Sequence, residues 1–283
     1  SHTTTGSSNS RCWDLAHIEA TDRWELMVPT LGRPAQSRAE ELGRLPSGTL
    51  VVWEDNDLLA SAFTSPKATA SSARRGFLSL VGRMEHHLAM VFHRFLEGDQ
   101  PPLSIWLNGR RASNRLVGWD PFMSDHPATI STPEEQISTS SGQISLKGFV
   151  LPHRRSLTDR RYREGAGPEG WAAQQGFYVY RNNRLLSAGG WLGVGDRKQW
   201  TREAAHQLAR IRLDIPNTAD ASWALDIKKS KARPPAELKE RLRAMSEYVR
   251  SKALAVSGGR TQSQNHQHTD TSAVWISGSS KSV

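Results

Sequence analysis

The feature that most constrains the fold is a short alternating stretch in the second half of the chain. Phe177-Tyr178-Val179-Tyr180 and Leu185-Leu186 flank Arg181-Asn182-Asn183-Arg184. Aromatic and β-branched residues in such a run suit a pleated strand. Asparagine tolerates the positive φ that a two-residue hairpin turn demands. The stretch therefore predicts two antiparallel strands joined at Asn182-Asn183.

Other segments add strands and helices around this hairpin. Phe77, Leu80, Val81, Met84, Leu88, Val91, Phe92 and Phe95 recur at three- and four-residue spacing, which predicts a helix over 73–97. Ile144 to Leu151 reads as a strand that stops at Pro152. Arg210 to Ile215 alternates, with Ile211, Leu213 and Ile215 inward against Arg210, Arg212 and Asp214 outward. A final helix is expected from about Pro235 to Leu254, with Leu238, Leu242, Met245, Val249 and Ala253 on one side. Nearer the start, Gly48 to Trp53 reads as a short buried strand. Trp13–Ile18 and Trp24–Val28 read as a hairpin around Thr21-Asp22, and 37–44 as a short helix. Leu103 to Leu107 reads as a strand entering a turn at Asn108-Gly109, and 153–164 and 201–208 as short helices. The Pro-, Ser-, Thr- and Asp-rich stretch 118–143 marks a domain boundary. The expected organisation is a flexible start (1–10), a first domain (11–117), a second domain (118–256) and a disordered tail (257–283). The class is α+β.

The charge balance narrows the partners. With 37 Lys and Arg against 28 Asp and Glu, the net charge is +9, which favours polyanions such as nucleic acid or nucleotide. The single cysteine, Cys12, excludes an internal disulfide and fits a reducing cytoplasm. No apolar run reaches membrane-spanning length, and the polar start is unlike a signal peptide, so no membrane partner is expected.

Among candidate sites, Lys229 stands out. In Trp223-Ala224-Leu225-Asp226-Ile227-Lys228-Lys229, Trp223, Leu225 and Ile227 fall on one strand face. The period puts Lys229 on that apolar face, where an ammonium needs an anionic partner, either a structural carboxylate or a phosphate. Gly189-Gly190-Trp191-Leu192-Gly193-Val194-Gly195 lacks the Gly-Lys-Ser/Thr ending of a phosphate-binding loop and reads as a flexible connection. His86, His87 and His93 on the long helix have no metal-ligand spacing, so no metal site is expected. No nucleophile elbow is present. Arg154-Arg155, Arg160-Arg161-Tyr162-Arg163 and the basic run after Ile227 either track phosphates or form solvated faces.

Three stretches in one order resemble the GHKL ATPases of the gyrase, chaperone, MutL and MORC types, closest to a bacterial "ATP-binding protein" branch near MORC and the chaperones. Gly48-Thr49-Leu50-Val51-Val52 resembles the family's Gly-Thr strand, Gly176 to Leu186 its transducer hairpin, and Leu225 to Lys231 the transducer loop whose lysine reaches the γ-phosphate of ATP. The resemblance implies a partial Bergerat ATPase sheet to about residue 117. A transducer domain with the βαβ fold of a ribosomal small-subunit protein would follow. It implies that Gly48 and Thr49 line the adenine pocket and that Lys229, with Lys228 as its nearest competitor, contacts the γ-phosphate. The family's general-base Glu, magnesium-binding Asn, Asp-x-Gly-x-Gly segment and glycine-rich lid have no counterpart here; in the family's order they would precede residue 1. ATP and Mg2+ are thus implied for the complete protein, with no cofactor and no turnover for this chain alone and weak or absent ATP binding. The implied partners are the missing N-terminal ATPase half or a complete homologue, and a second copy in a homodimer. DNA or RNA is the partner on the alternative reading, a non-enzymatic nucleic-acid-binding or interaction module.

Overall fold

The structure, a computed structural model, describes residues 1, 9–56, 69–97, 102–167, 169–195, 198–219, 223 and 234–258. They fall into two compact units, Ser1–Phe77 and Leu78–Val283. The division therefore lies inside the long helix, whereas the sequence places a boundary near residue 118.

In the first unit, the expected hairpin at 13–28 is replaced by a helix, α1 (Leu15–Thr21). The Asp14 carboxylate accepts the backbone N–H groups of Ala16 and His17, and Asp22 ends the helix in a left-handed conformation. This capping of otherwise orphaned N–H groups outweighs the weak alternation that suggested a strand. Only the outer ends pair, through a single antiparallel bridge between Cys12 and Met27. Helix α2 spans Arg33–Gly43, starting four residues before the expected 37–44. The segment 48–53 is not a buried strand: Val51 is exposed and Trp53 is 84% exposed. Among the described residues no strand pairs with this apolar run, and only Gly48 is in an isolated bridge. Trp13 and Trp24 are exposed too, their rings edge to face at 6.3 Å.

Helix α3 (Ala70–Val91) and the short α4 (His93–Leu96) fill the predicted helix over 73–97, with a break at Phe92. Leu103–Leu107 forms no strand; Trp106 makes one bridge to Arg115 around the turn at Asn108-Gly109.

The second unit is built on one mixed sheet. Its strands are β1 (Ile130–Ser131), β2 (Glu135–Thr139), β3 (Gly142–Val150), β4 (Gly176–Arg181), β5 (Arg184–Ala188) and β6 (Ala209–Ile215). The order is β1-β3-β6-β4-β5, with β2 pairing β3 beside β1. β6 runs antiparallel to β3 and parallel to β4. The β4–β5 hairpin turns at Asn182 (φ 46°) and Asn183 (φ 63°), the pair of left-handed residues that a two-residue turn needs.

Helix α6 (Lys239–Ser257) covers one face of the sheet. Leu238, Leu242, Met245, Val249 and Ala253 are all fully buried, at the three- and four-residue spacing read from the sequence. They join Ile144, Leu146, Phe177, Val179, Ile211, Leu213 and Trp223 in the main core. Each such large side chain contributes roughly 1.5–3 kcal/mol of burial. Gly148 lets the helix sit this close: a Cβ there would lie 2.5 Å from Val249 Cγ2 and 2.9 Å from Met245 Sδ.

The opposite face carries a second apolar cluster of Phe122, Phe149, Tyr178, Tyr180 and Leu185. Phe122 lies on Phe149 with ring centroids 4.6 Å apart. This cover corrects the reading of β6. Arg210, expected outward, has no exposed surface, because its cross-strand neighbour Phe149 and the covering loop seal that side. Its Nη1 donates to the carbonyls of Gln207 and Ala209, and burial lowers its pKa.

The stretch 153–164 forms a 3-10 turn at Arg154–Ser156 and α5 (Asp159–Gly165), and 201–208 forms a 3-10 turn at Ala204–His206. Gly189–Gly195 is a connection after β5, but not the flexible one expected: Trp191 and Val194 are buried in the main core, and the Gly190 carbonyl accepts the Phe177 N–H at 2.8 Å. Trp191 from it packs with Trp200, and the Arg250 guanidinium of α6 lies 4.8 and 4.7 Å from the two ring centroids. The tail from 259 onward and residues 2–8 lie outside the described residues.

Candidate functional site

The aromatic face of the sheet opens into a cleft of about 860 Å3 within the Leu78–Val283 unit. Its lining comes from four separate stretches: α3 and α4, residues 115–125, the α5 region, and Arg212 of β6. Trp119 joins two of them. Its backbone N–H donates to Ala89 O of α3 at 3.1 Å, and its indole Nε1 donates to Glu164 O of α5 at 2.7 Å. The turn after it is held by Asp120, whose two carboxylate oxygens accept the N–H groups of Phe122 and Ser124 at 2.9 and 2.7 Å. Here a short acidic side chain satisfies the backbone of a loop that has no regular structure of its own.

Six arginines line the cleft: Arg94, Arg115, Arg160, Arg161, Arg163 and Arg212. Several are already paired. Arg94 holds Asp214 through both terminal nitrogens. Arg212 donates to Glu134 at 2.6 Å and lies 3.2 Å from Asp214. Arg161 grips Asp125 at 2.6 and 2.8 Å, and Arg160 donates from Nε to Glu164 at 2.7 Å. The Arg160 hydrogen bond, helped by Arg161, holds the Glu164 carboxyl below its ordinary pKa. Glu134 is likewise held low, first by the Ser145 hydroxyl and then by Arg212. Arg115 and Arg163 are exposed and have no ion-pair partner among the described residues.

At one end of the cleft, His93 is locked into the sheet. Its Nδ1 lies 2.7 Å from Glu97 Oε1 and its Nε2 2.8 Å from the Tyr180 hydroxyl. Burial of the imidazole lowers its pKa, against the opposing pull of Glu97. Burial also pushes the Tyr180 phenol well above its ordinary value and the Tyr178 phenol up to about 12. A carboxylate–imidazole–phenol chain of this kind has the order of a proton relay. The fully buried Tyr180 hydroxyl, however, gives no substrate access, so the chain pins α4 to β4.

The residues singled out by resemblance sit elsewhere. Thr49 is exposed, with its hydroxyl 3.2 Å from that of Ser1, and Gly48 forms an isolated bridge. Both belong to the first unit, and neither lines the cleft. Lys228 and Lys229 lie outside the described residues, as does most of the strand read at 223–229. Trp223 itself is fully buried. Among the described residues, no group of three or more His, Cys, Asp or Glu side chains is placed to hold a metal ion, and no helix is long and apolar enough to cross a membrane.

Sequence reasoning singled out the basic stretch of α5, as phosphate-tracking or as a solvated face, and left His93 without a site role. It missed Arg94, Arg212, Trp119 and Asp120 as parts of one site. The available signal was Gly118-Trp119-Asp120-Pro121, where an Asp two residues before an aromatic can close an Asx turn. No family model matches this chain, and no curated protein matches it.

Proposed function

We propose that this chain is the sensing half of a GHKL-type ATP-binding protein, with the Leu78–Val283 unit acting as a transducer that reports nucleotide state. The observation that carries the reading is the setting of the two transducer-like segments. The hairpin Gly176–Leu186, which carries the family resemblance, supplies a strand buried from Gly176 to Tyr180 and paired in parallel with β6. Trp223, just before the lysine-bearing segment in sequence, is buried in the core, and Leu238, after it, is buried under the sheet. Lys228 and Lys229, outside the described residues, fall in sequence between these two buried side chains.

In this reading the Lys229 ammonium meets the γ-phosphate as a point charge, and Lys228 is the alternative donor. Gain or loss of that one contact biases the lysine-bearing stretch, and with it the sheet and α6. Gly48 and Thr49 would contribute to the adenine side, with Mg2+ and the catalytic groups supplied by the remainder of a complete ATPase. Trp13 and Trp24, exposed and edge to face, and the exposed Trp53 offer apolar surface of the kind another polypeptide covers. A second copy in a homodimer is the other candidate cover.

Calorimetry at millimolar nucleotide tests the reading. ATP should bind weakly but roughly tenfold more tightly than ADP, the worth of one charge-assisted contact. Lys229→Ala should erase the difference. Equal affinity for ATP and ADP in the unaltered chain would overturn the proposal, and loss of the difference in Lys228→Ala alone would transfer the role to Lys228.

A further inference from the structure

The arginine-lined cleft is not used by a γ-phosphate sensor. We propose that it is a binding site for single-stranded nucleic acid, independent of the nucleotide-sensing reading. Three observations carry the proposal.

The first is the division of labour among the arginines. Arg94, Arg161 and Arg212 are held by carboxylates and shape the walls. Arg115 and Arg163 are exposed and without an ion-pair partner among the described residues. Arg160 spends its Nε on Glu164 but keeps 84% of its side chain exposed. Guanidinium groups in this state offer paired N–H donors to phosphate oxygens.

The second is the presence of rings in the same lining. Trp119, which ties α3 to α5, and His86 both line the cleft. Grooves for unpaired strands combine positive charge along the backbone path with aromatic surfaces for the bases.

The third is the lining's own acids. Glu85, Glu97, Asp120, Asp125 and Glu164 also border the cleft. A compact triphosphate would concentrate its charge against them. A phosphodiester backbone carries one charge per nucleotide and can follow the exposed arginines past them. The net charge of +9 adds a long-range attraction for such a ligand.

The test is fluorescence anisotropy of a labelled oligothymidylate titrated with the full chain over a range of salt concentrations. Binding should weaken steadily with salt. Arg115→Gln with Arg163→Gln should lower affinity at least tenfold and make the slope of log K against log salt shallower by roughly 1.4, at about 0.7 per phosphate contact on a single strand. Lys239→Gln, on the helix covering the other face of the sheet, should change neither. Far-ultraviolet circular dichroism of each variant establishes that it is folded. Absence of binding at low salt, or equal losses with Lys239→Gln, would overturn the site. Displacement of the strand by ATP or polyglutamate at matched charge concentration would overturn the choice of ligand.

Discussion

The Arg94 guanidinium lies over the Tyr180 ring, its Cζ 3.6 Å from the centroid, while both of its terminal nitrogens hold Asp214 on the next strand. Arg94 comes from α4 and Asp214 from β6, so one side chain fastens the helix across two strands. The neighbouring His93 reaches the same tyrosine from its hydroxyl end. Cation–ring contact and ion pairing reinforce each other here because the ring shields one face of the charge from water.

Tyr180→Phe isolates the hydroxyl from the ring. Phenylalanine keeps the surface under Arg94 but strands His93 Nε2 without its partner in a buried place. A loss of about 1–3 kcal/mol is expected for an unsatisfied buried group. A lower urea midpoint at unchanged slope would register it. An unmoved midpoint would mean that the hydroxyl contributes nothing to holding α4 on the sheet.

The histidines set a pH dependence. Burial lowers the pKa of His93, and burial with the nearby Arg250 lowers that of His206. Below the ordinary value of 6.5 the unfolded chain therefore takes up protons that the folded chain refuses. Stability should be full above about pH 7 and fall as pH drops through 6.5 toward the lowered folded values. Glu134 and Glu164, held below 4.5, add a separate loss only at more acid pH. Urea midpoints between pH 7.5 and 5 should show the first decline, and His93→Gln should flatten it. A midpoint that rises on acidification would contradict the assignment.

Gly148→Ala probes the seat of α6. The added methyl would meet Val249 Cγ2 and Met245 Sδ inside contact distance, so the helix must lift or its side chains turn. The expected cost is about 1–3 kcal/mol, the usual range for overpacking a tight core. Adding Val249→Ala to the same chain should recover part of the lost melting temperature. Failure of that second change to help would place the strain elsewhere.

The purified chain is expected to release no phosphate from ATP in the presence of magnesium. A single lysine contact neither orients the attacking water nor holds the metal that phosphoryl transfer requires. Sustained magnesium-dependent release in a phosphate assay would show that this chain carries catalytic groups which the proposed sensing role does not include.

The parts of this molecule that were legible in sequence are those whose causes are local. The Asn182-Asn183 turn needs only two residues that accept positive φ, and the α6 stripe needs only its own spacing. Alternation also gave β6 correctly, but the burial of Arg210 depends on Phe122 and Phe149, far away in sequence. At α1 a weak alternation competed with an Asp14 cap, and the cap prevailed within a helix of seven residues. The cleft was invisible because its walls come from four separated stretches. Its centre, Trp119-Asp120, lay in a segment whose Pro, Ser and Asp content looks like a linker.

The two-sided burial of β6 has a mechanical consequence. Sliding this strand by one residue past β3 or β4 would carry the Arg210 guanidinium into the space of Ile211, among the aliphatic side chains beneath α6. Side chains alternate with a strict period of two, so no intermediate displacement relieves the exchange. A one-residue slip of β6 is thereby resisted from both faces of the sheet, so under load the strands give way less readily one by one than together, as a single slab.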